Sequence, residues 1–187
     1  MKLLILFIIG ISTQLLAKDY YIDLHAKVVI DEKHYYSKKS YYNILKLDGS
    51  FTDSLGNYGN WNALASVELN NGKIKQHFFS AEVIYQNETA IYSQGSRTSE
   101  EFEQGTGVFT ITSAHNSLNE LIGTRCIFGI NFFKSTSFTR LKCDISEAST
   151  EQLMKVKEER RSSISNTNSP TSIGTFVYSF HQIPLWS

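Results

Sequence analysis

The chain has 187 residues, 18 of them basic and 18 acidic, for a formal charge of +0. That balance argues against a nucleic-acid binder, which needs a basic surface, and the length suits a single domain. Hydrophobic residues make up 41% and only two prolines interrupt them, so a real core can form.

Met1 to Ala17 reads as a secretory signal peptide. Lys2 supplies the positive start, Leu3 to Ile11 the apolar centre and Leu15-Leu16-Ala17 a cleavage site. The apolar run is too short to span a membrane comfortably, so no stable transmembrane span is expected after its removal. Without Lys2, 17 basic residues face 18 acidic ones, a balance of −1. The mature protein is expected to be exported, to the periplasm or beyond.

From Lys18 the chain reads as short β-segments. Tyr20-Tyr21-Ile22 and Ala26 to Ile30 are strand-like, with Asp31 to Lys33 as a polar break. Tyr35, Tyr36, Tyr41 and Tyr42 flank a Ser-Lys-Lys-Ser loop and suit amphipathic strands. Tyr42 to Leu47 is a strand ended by Asp48-Gly49. The loop from Asp53 to Trp61 is rich in Gly and Asn, residues that tolerate left-handed backbone. Its sharper reading presents Tyr58 and Trp61 at a barrel mouth.

Ala63, Ala65, Val67 and Leu69 alternate along the next strand, and Asn70-Asn71-Gly72 is a hairpin turn. Lys73 to Phe79 returns, Ala81 to Gln86 continues or begins another strand, and Thr89 to Ser93 is a short one. Gln94 to Gln104 reads as a charged loop, with Arg97 among Glu100, Glu101 and Glu103. It is either simply solvated or an Arg–carboxylate pair at a ligand entrance.

The densest pattern runs from Gly105 to Cys143. Val108 to Thr112 is a strand. Ser113 to Glu120 is a polar connection with Leu118 and Leu121 tucked into the core. Cys126, Phe128, Ile130 and Phe132 share one strand face, as do Thr139, Leu141 and Cys143. A turn centred between Lys134 and Ser135 places Cys126 opposite Cys143 and Phe128 opposite Leu141. Both apolar faces agree in that register, which favours a Cys126–Cys143 disulfide in an oxidising compartment over two buried thiols.

After Asp144 the composition changes. Ser149 to Gln152 resembles a capping box, Glu151 to Arg161 a helix, and Ser162 to Ser172 a polar linker. Gly174 to Trp186 is aromatic and alternates like a strand, a segment suited to self-association or to pairing with a partner.

No local chemistry declares itself. The five histidines show no metal-ligand spacing, and neither a G-x-S-x-G elbow nor a phosphate loop occurs. No cofactor, metal ligand or catalytic residue is assigned, and an enzyme is the less favoured class.

The rhythm from Gly49 to Cys143 resembles known proteins. It comprises Phe51 with Asp53-x-x-Gly-Asn-Tyr-Gly, then Gly105-x-Gly-x-Phe-x-Ile111, Leu118-x-x-Leu-x-Gly123, Cys126-x-Phe-x-Ile130 and Lys142-Cys143. It is similar to small exported bacterial proteins of uncharacterised function and to antiparallel barrels of the allene oxide cyclase and dirigent type. No catalytic residue of those families matches a position here, so the resemblance implies a fold and not an activity.

Taken together, residues 18–144 are expected to form one all-β antiparallel barrel of about eight strands, with a two-sheet sandwich as the alternative. Residues 145–187 would form a helix, linker and tail. A barrel of this size can hold one small ligand. Trp61, Tyr85, Tyr92 and Arg97 are the candidate ligand-binding residues, for a small apolar or amphipathic molecule. A structural protein of the cell envelope working through its tail, and a barrel isomerase or cyclase, are the alternative readings.

Overall fold

The computed structural model describes residues 18–167. The expected signal peptide, the far end of the polar linker and the aromatic tail lie outside the described residues. Eight strands follow one another: β1 (Lys18–Ser37), β2 (Ser40–Asp53), β3 (Tyr58–Asn70), β4 (Lys73–Tyr85), β5 (Ala90–Arg97), β6 (Gln104–Ala114), β7 (Arg125–Phe133) and β8 (Thr136–Ile145). Each pairs antiparallel with the next. β8 then returns to β1, with Ile22 opposite Leu141, and closes the barrel. The ladder is a single closed one, so the sandwich alternative is set aside.

Period-two alternation decides which side chains fill this barrel. Ile22, Leu24, Trp61, Ala63, Val83, Ile91, Phe109, Ile111 and Leu141 point inward and are buried, while their chain neighbours face out. The tight turns take the backbone their residues allow: Asn71 and Gly72 have φ of 52° and 80°, and Lys134 has φ of 56°. The inward row of β6 includes Gly107. A Cβ there would collide with the Phe128 ring, which lies over it, so this glycine makes room for an aromatic on the next strand.

The register of β7 and β8 is the one the sequence implies. Cys126 faces Cys143 and Phe128 faces Leu141, and the cysteines form a disulfide across a Cα separation of 4.2 Å.

Several boundaries differ from expectation: β2 runs through Asp48-Gly49 to Asp53, and β3 already starts at Tyr58. Asp31 to Lys33 is not a break: β1 runs on through it after a bulge between Val28 and Ile30. There the Asp31 carboxylate accepts from Lys33 at 3.2 Å and from Asn43 Nδ2 at 2.9 Å, which satisfies charge within the strand. β5 continues past Ser93 to Arg97, so the charged loop is only residues 98–103. Finally, α1 (Glu147–Thr167) starts earlier and ends later than the sequence suggests. Its N-cap is Ser146, whose Oγ accepts from the Ser149 backbone N–H at 3.0 Å.

Among the described residues no helix is long and apolar enough to cross a membrane. Instead α1 caps one end of the barrel. Its buried Leu153 and Val156 meet Leu118 and Leu121 of a 3₁₀ turn, Asn116–Leu121. Ser149 Oγ donates to the Glu120 carbonyl at 2.9 Å and Gln152 Nε2 to Asn119 Oδ1 at 2.7 Å.

Replacing both cysteines with alanine should lower stability by about 3 kcal/mol, the value expected for a loop of this size. The check is the denaturation midpoint of Cys126→Ala/Cys143→Ala against wild type. On intact protein, reduction in denaturant should add two daltons.

Candidate functional site: an apolar cavity with a buried guanidinium

The two ends of the barrel are built differently. At the helix-capped end a polar knot lies under α1. Asp53 accepts from Tyr20 Oη at 2.6 Å, from the Leu55 and Asn57 backbone N–H groups at 2.9 and 2.8 Å, and from Asn57 Nδ2 at 2.9 Å. Tyr85 Oη lies 3.3 Å from Tyr20 Oη. Asn57 Nδ2 also reaches the Leu153 carbonyl at 3.2 Å, which ties the β2–β3 turn to α1. Burial raises the pKa of both tyrosines above the usual phenol value, so they stay protonated donors. No buried side-chain polar atom of this knot lacks a partner, so it plugs this end of the barrel without leaving a polar group stranded.

At the other end lie the β1–β2, β3–β4 and β7–β8 turns and the loop 98–103. That loop folds across the rim. Its Glu100 carbonyl accepts from Ile74 N–H at 2.8 Å, and its Glu103 carbonyl from Phe132 N–H at 2.7 Å. Lys73 Nζ pairs with Glu100 at 2.9 Å. Phe102 stacks on Phe132 with ring centroids 5.8 Å apart.

Between plug and rim lies a cavity of about 80 Å³. Its origin is visible in the register. Ala63, Ala81 and Ser93 sit side by side on β3, β4 and β5. Three small inward residues in one row hollow out that wall. Aromatic side chains close the space around it: Trp61, Phe79, Phe109, Phe128. Phe79 meets Phe128 edge-on, with centroids 5.6 Å apart.

Polar groups reach this apolar space at few points. Arg97, the last residue of β5, points in under the loop. Its Nη1 donates to the Phe102 carbonyl at 2.8 Å, while its buried Nε and Nη2 have no partner. Gly105 lets it sit there, because a Cβ at 105 would meet Arg97 Nη2 at 2.6 Å. His77 lines the same region, and its Nδ1 accepts from the Arg97 backbone N–H at 3.2 Å. That role places the proton of the neutral ring on Nε2. Burial, and secondarily the Arg97 charge, push the His77 pKa down to about 4. Trp61 Nε1 and Thr139 Oγ1 are also buried without partners.

Of the four residues singled out in the sequence, Trp61 and Arg97 line the cavity. Tyr85 is interior but belongs to the plug. Tyr92 is on the outer wall, 44% exposed, because it alternates with the inward Ile91 and Ser93. Tyr58, expected at the mouth with Trp61, starts β3 at the plugged end and is exposed. The Arg97–carboxylate pairing envisaged for the charged loop does not form: Glu100 binds Lys73 instead. His77, Phe102 and Thr139 were not singled out. Their signal was alternation, His77 with Phe79 and Thr139 with Leu141. Among the described residues no group of three or more His, Cys, Asp or Glu side chains is placed to hold a metal ion.

No protein-family model, curated protein or solved structure matches the chain.

Two outcomes test this description. Asp53→Ala should cost about 3 kcal/mol, since it strands the buried donors of Tyr20 and Asn57; chemical denaturation reads it. For His77, the folded pKa of about 4 lies below the unfolded value of 6.5. The unfolded chain therefore takes up a proton first, and stability is full above pH 6.5 and declines as pH falls from there towards 4. His77→Asn, which keeps an acceptor for the Arg97 N–H, should flatten the thermal midpoint across that window. In wild type, NMR titration should find the His77 ring unprotonated at pH 5.5.

Proposed function

We propose that this protein is an exported binding protein that carries one small, slender apolar or amphipathic ligand inside its barrel. The observation that carries this reading is the row Ala63–Ala81–Ser93 facing the cavity. An eight-stranded barrel is narrow enough for side chains to fill it completely. Leucine or isoleucine at those three positions would do so, at a gain in buried apolar area. Small residues on three adjacent strands instead leave space beside Trp61 and Phe79.

The two ends support the same reading. A satisfied polar knot and a docked helix seal one end, and a six-residue loop covers the other: Thr98 and Ser99 hold its base to Thr106, and across the rim it makes two backbone bonds, one exposed ion pair, one ring stack and the bond from Arg97 Nη1 to the Phe102 carbonyl. Opening that loop costs far less than breaking the barrel ladder. The Cys126–Cys143 bridge supports export to an oxidising compartment.

The size of the space sets the ligand class. An engineered apolar cavity of about 150 Å³ takes one benzene, so about 80 Å³ holds roughly three or four heavy atoms as it stands. A longer molecule such as 1-hexanol requires Phe102 and Phe132 to move apart.

The test uses Trp61 as reporter, in a Trp186→Phe background that removes the other tryptophan of the chain. Titration with 1-hexanol should change Trp61 emission saturably. Ala81→Leu, which fills the cavity, should abolish the response while leaving the far-UV circular dichroism of the barrel intact. A saturable response unchanged in Ala81→Leu would place binding outside the barrel and end this reading.

A further inference from the structure

The structure holds two arginines whose Nε and Nη2 groups can be compared directly. On the outer wall, Arg140 grips Asp23 side-on: Nε reaches Oδ1 at 2.7 Å and Nη2 reaches Oδ2 at 2.9 Å. This is the two-pronged arrangement by which a guanidinium holds a carboxylate. Inside the barrel Arg97 presents the same pair of atoms, Nε and Nη2, buried and without a partner. Its third nitrogen, Nη1, is committed to the Phe102 carbonyl, which fixes the plane of the group. Among the described residues no carboxylate pairs with it.

Resting on the proposed carrier role, we infer that the ligand is a monocarboxylate, its acid group held side-on by Arg97 Nε and Nη2 and its aliphatic part lying against Trp61, Phe79 and the Ala63–Ala81–Ser93 wall. A buried cation with two unmade hydrogen bonds is costly in apolar surroundings, and a carboxylate offset against it restores both bonds and the charge balance. A planar two-oxygen head matches the two parallel N–H groups. The charge of the site favours a single negative charge. Arg97 contributes one positive charge, and burial keeps His77 neutral above a pKa of about 4, with its Nε2–H as a further donor. A dianionic phosphate head would leave one charge uncompensated in a narrow, mostly apolar space.

The geometry also sets the orientation. Arg97 lies under the loop 98–103, at the rim side of the cavity, and the plug at the far end has no spare donor. The acid group therefore stays near the rim and the apolar end points towards the plug. Gly105 makes room for this arrangement, since a Cβ there would run into Ser99 Oγ and would meet Arg97 Nη2 at 2.6 Å.

The experiment compares hexanoate, 1-hexanol and hexyl phosphate by Trp61 fluorescence and by calorimetry, on the Trp186→Phe protein and on the same protein carrying Arg97→Met. Methionine keeps much of the length and apolar bulk of the side chain and removes the charge. Wild-type Arg97 should bind hexanoate tighter than hexanol and hexyl phosphate by on the order of tenfold or more, the range for charge-assisted hydrogen bonds. Arg97→Met should lose that preference while binding hexanol within about threefold of the parent, a difference too small for a lost ionic contact. Equal binding of hexanoate and hexanol by the parent, or undiminished hexanoate binding by Arg97→Met, would overturn the acid-head assignment and leave the carrier role standing. Tighter binding of hexyl phosphate than of hexanoate would replace the carboxylate by a dianionic head. Failure of all three probes to bind the parent would remove the carrier role and this inference together. Should Arg97→Met fail to fold, Arg97→Gln supplies the second arm, neutral and still able to donate to the Phe102 carbonyl. It should weaken hexanoate more than hexanol, and equal weakening would count against Arg97 as the anchor.

Discussion

Closure of the ladder between β1 and β8 is the constraint on which the remaining architecture depends. Once Ile22 lies opposite Leu141, every strand has one face that never meets water except through an end. The alternation of each strand is thereby forced into a single register, because a slip of one residue would turn its apolar set outward. Closure also fixes how wide the interior is, and so makes the size of each inward side chain consequential. Gly107 opposite Phe128, and Ala63 beside Ala81, are paired choices within one fixed circumference. The disulfide adds to this by tying β7 to β8, the last strand to join before the ring closes.

The two ends of a closed barrel are where its interior must be dealt with, and here they are dealt with unequally. At one end a carboxylate is the hub: Asp53 gathers a phenol, a side-chain amide and two backbone N–H groups, and α1 lays Leu153 and Val156 over the result. Burying that much polarity is tolerable because each buried group is matched. At the other end the long strands β1 to β4 rise above the short strands β5 to β8, and a loop of six residues bridges the gap. Its holding contacts are few and peripheral. A barrel made only to be rigid gains nothing from sealing one end firmly and the other lightly. A barrel that exchanges a ligand needs that asymmetry.

Much of the fold was legible in the sequence because one period dominates it. From Cys126 to Phe132 apolar residues recur at every second position, and Leu141 and Cys143 resume that face beyond the polar break at Lys134 to Thr136, so the turn and the register follow, and the disulfide with them in an oxidising compartment. Legibility failed where polar residues take inward positions. Ser93, Gly95 and Arg97 continue the inward face of β5, but a hydrophobic pattern ends the strand at Ser93 and reads Gly95 and Arg97 as loop. Likewise Asp31 and Lys33 continue β1 because they neutralise each other, a compensation that the one-dimensional pattern does not display. Tyr92 and Tyr85 show the converse limit. Both are tyrosines on strands, and only the phase of alternation, Tyr92 between Ile91 and Ser93 and Tyr85 two residues beyond Val83, puts one outside and the other in.

The site was half visible for the same reason. Arg97 and Trp61 stood out as residue types, but the hollow they share arises from three small residues on different strands, and small residues carry no signal of their own. What separates Arg97 from the other charged groups is its accounting of hydrogen bonds. Asp53 is fully matched, Arg140 and Asp23 match each other, and Lys73 and Glu100 pair at the surface. Among the described residues Arg97 alone brings a permanent charge to this apolar interior with two donors unmade. Its bond to the Phe102 carbonyl helps hold the loop, so the fold accounts for Nη1 and not for the buried Nε and Nη2. Local rules are broken at sites that serve something other than the fold. The group that breaks them here lies under the lighter of the two lids, on the strand that contributes Ser93 to the small-residue wall, and that coincidence of position is what ties the charge to the cavity.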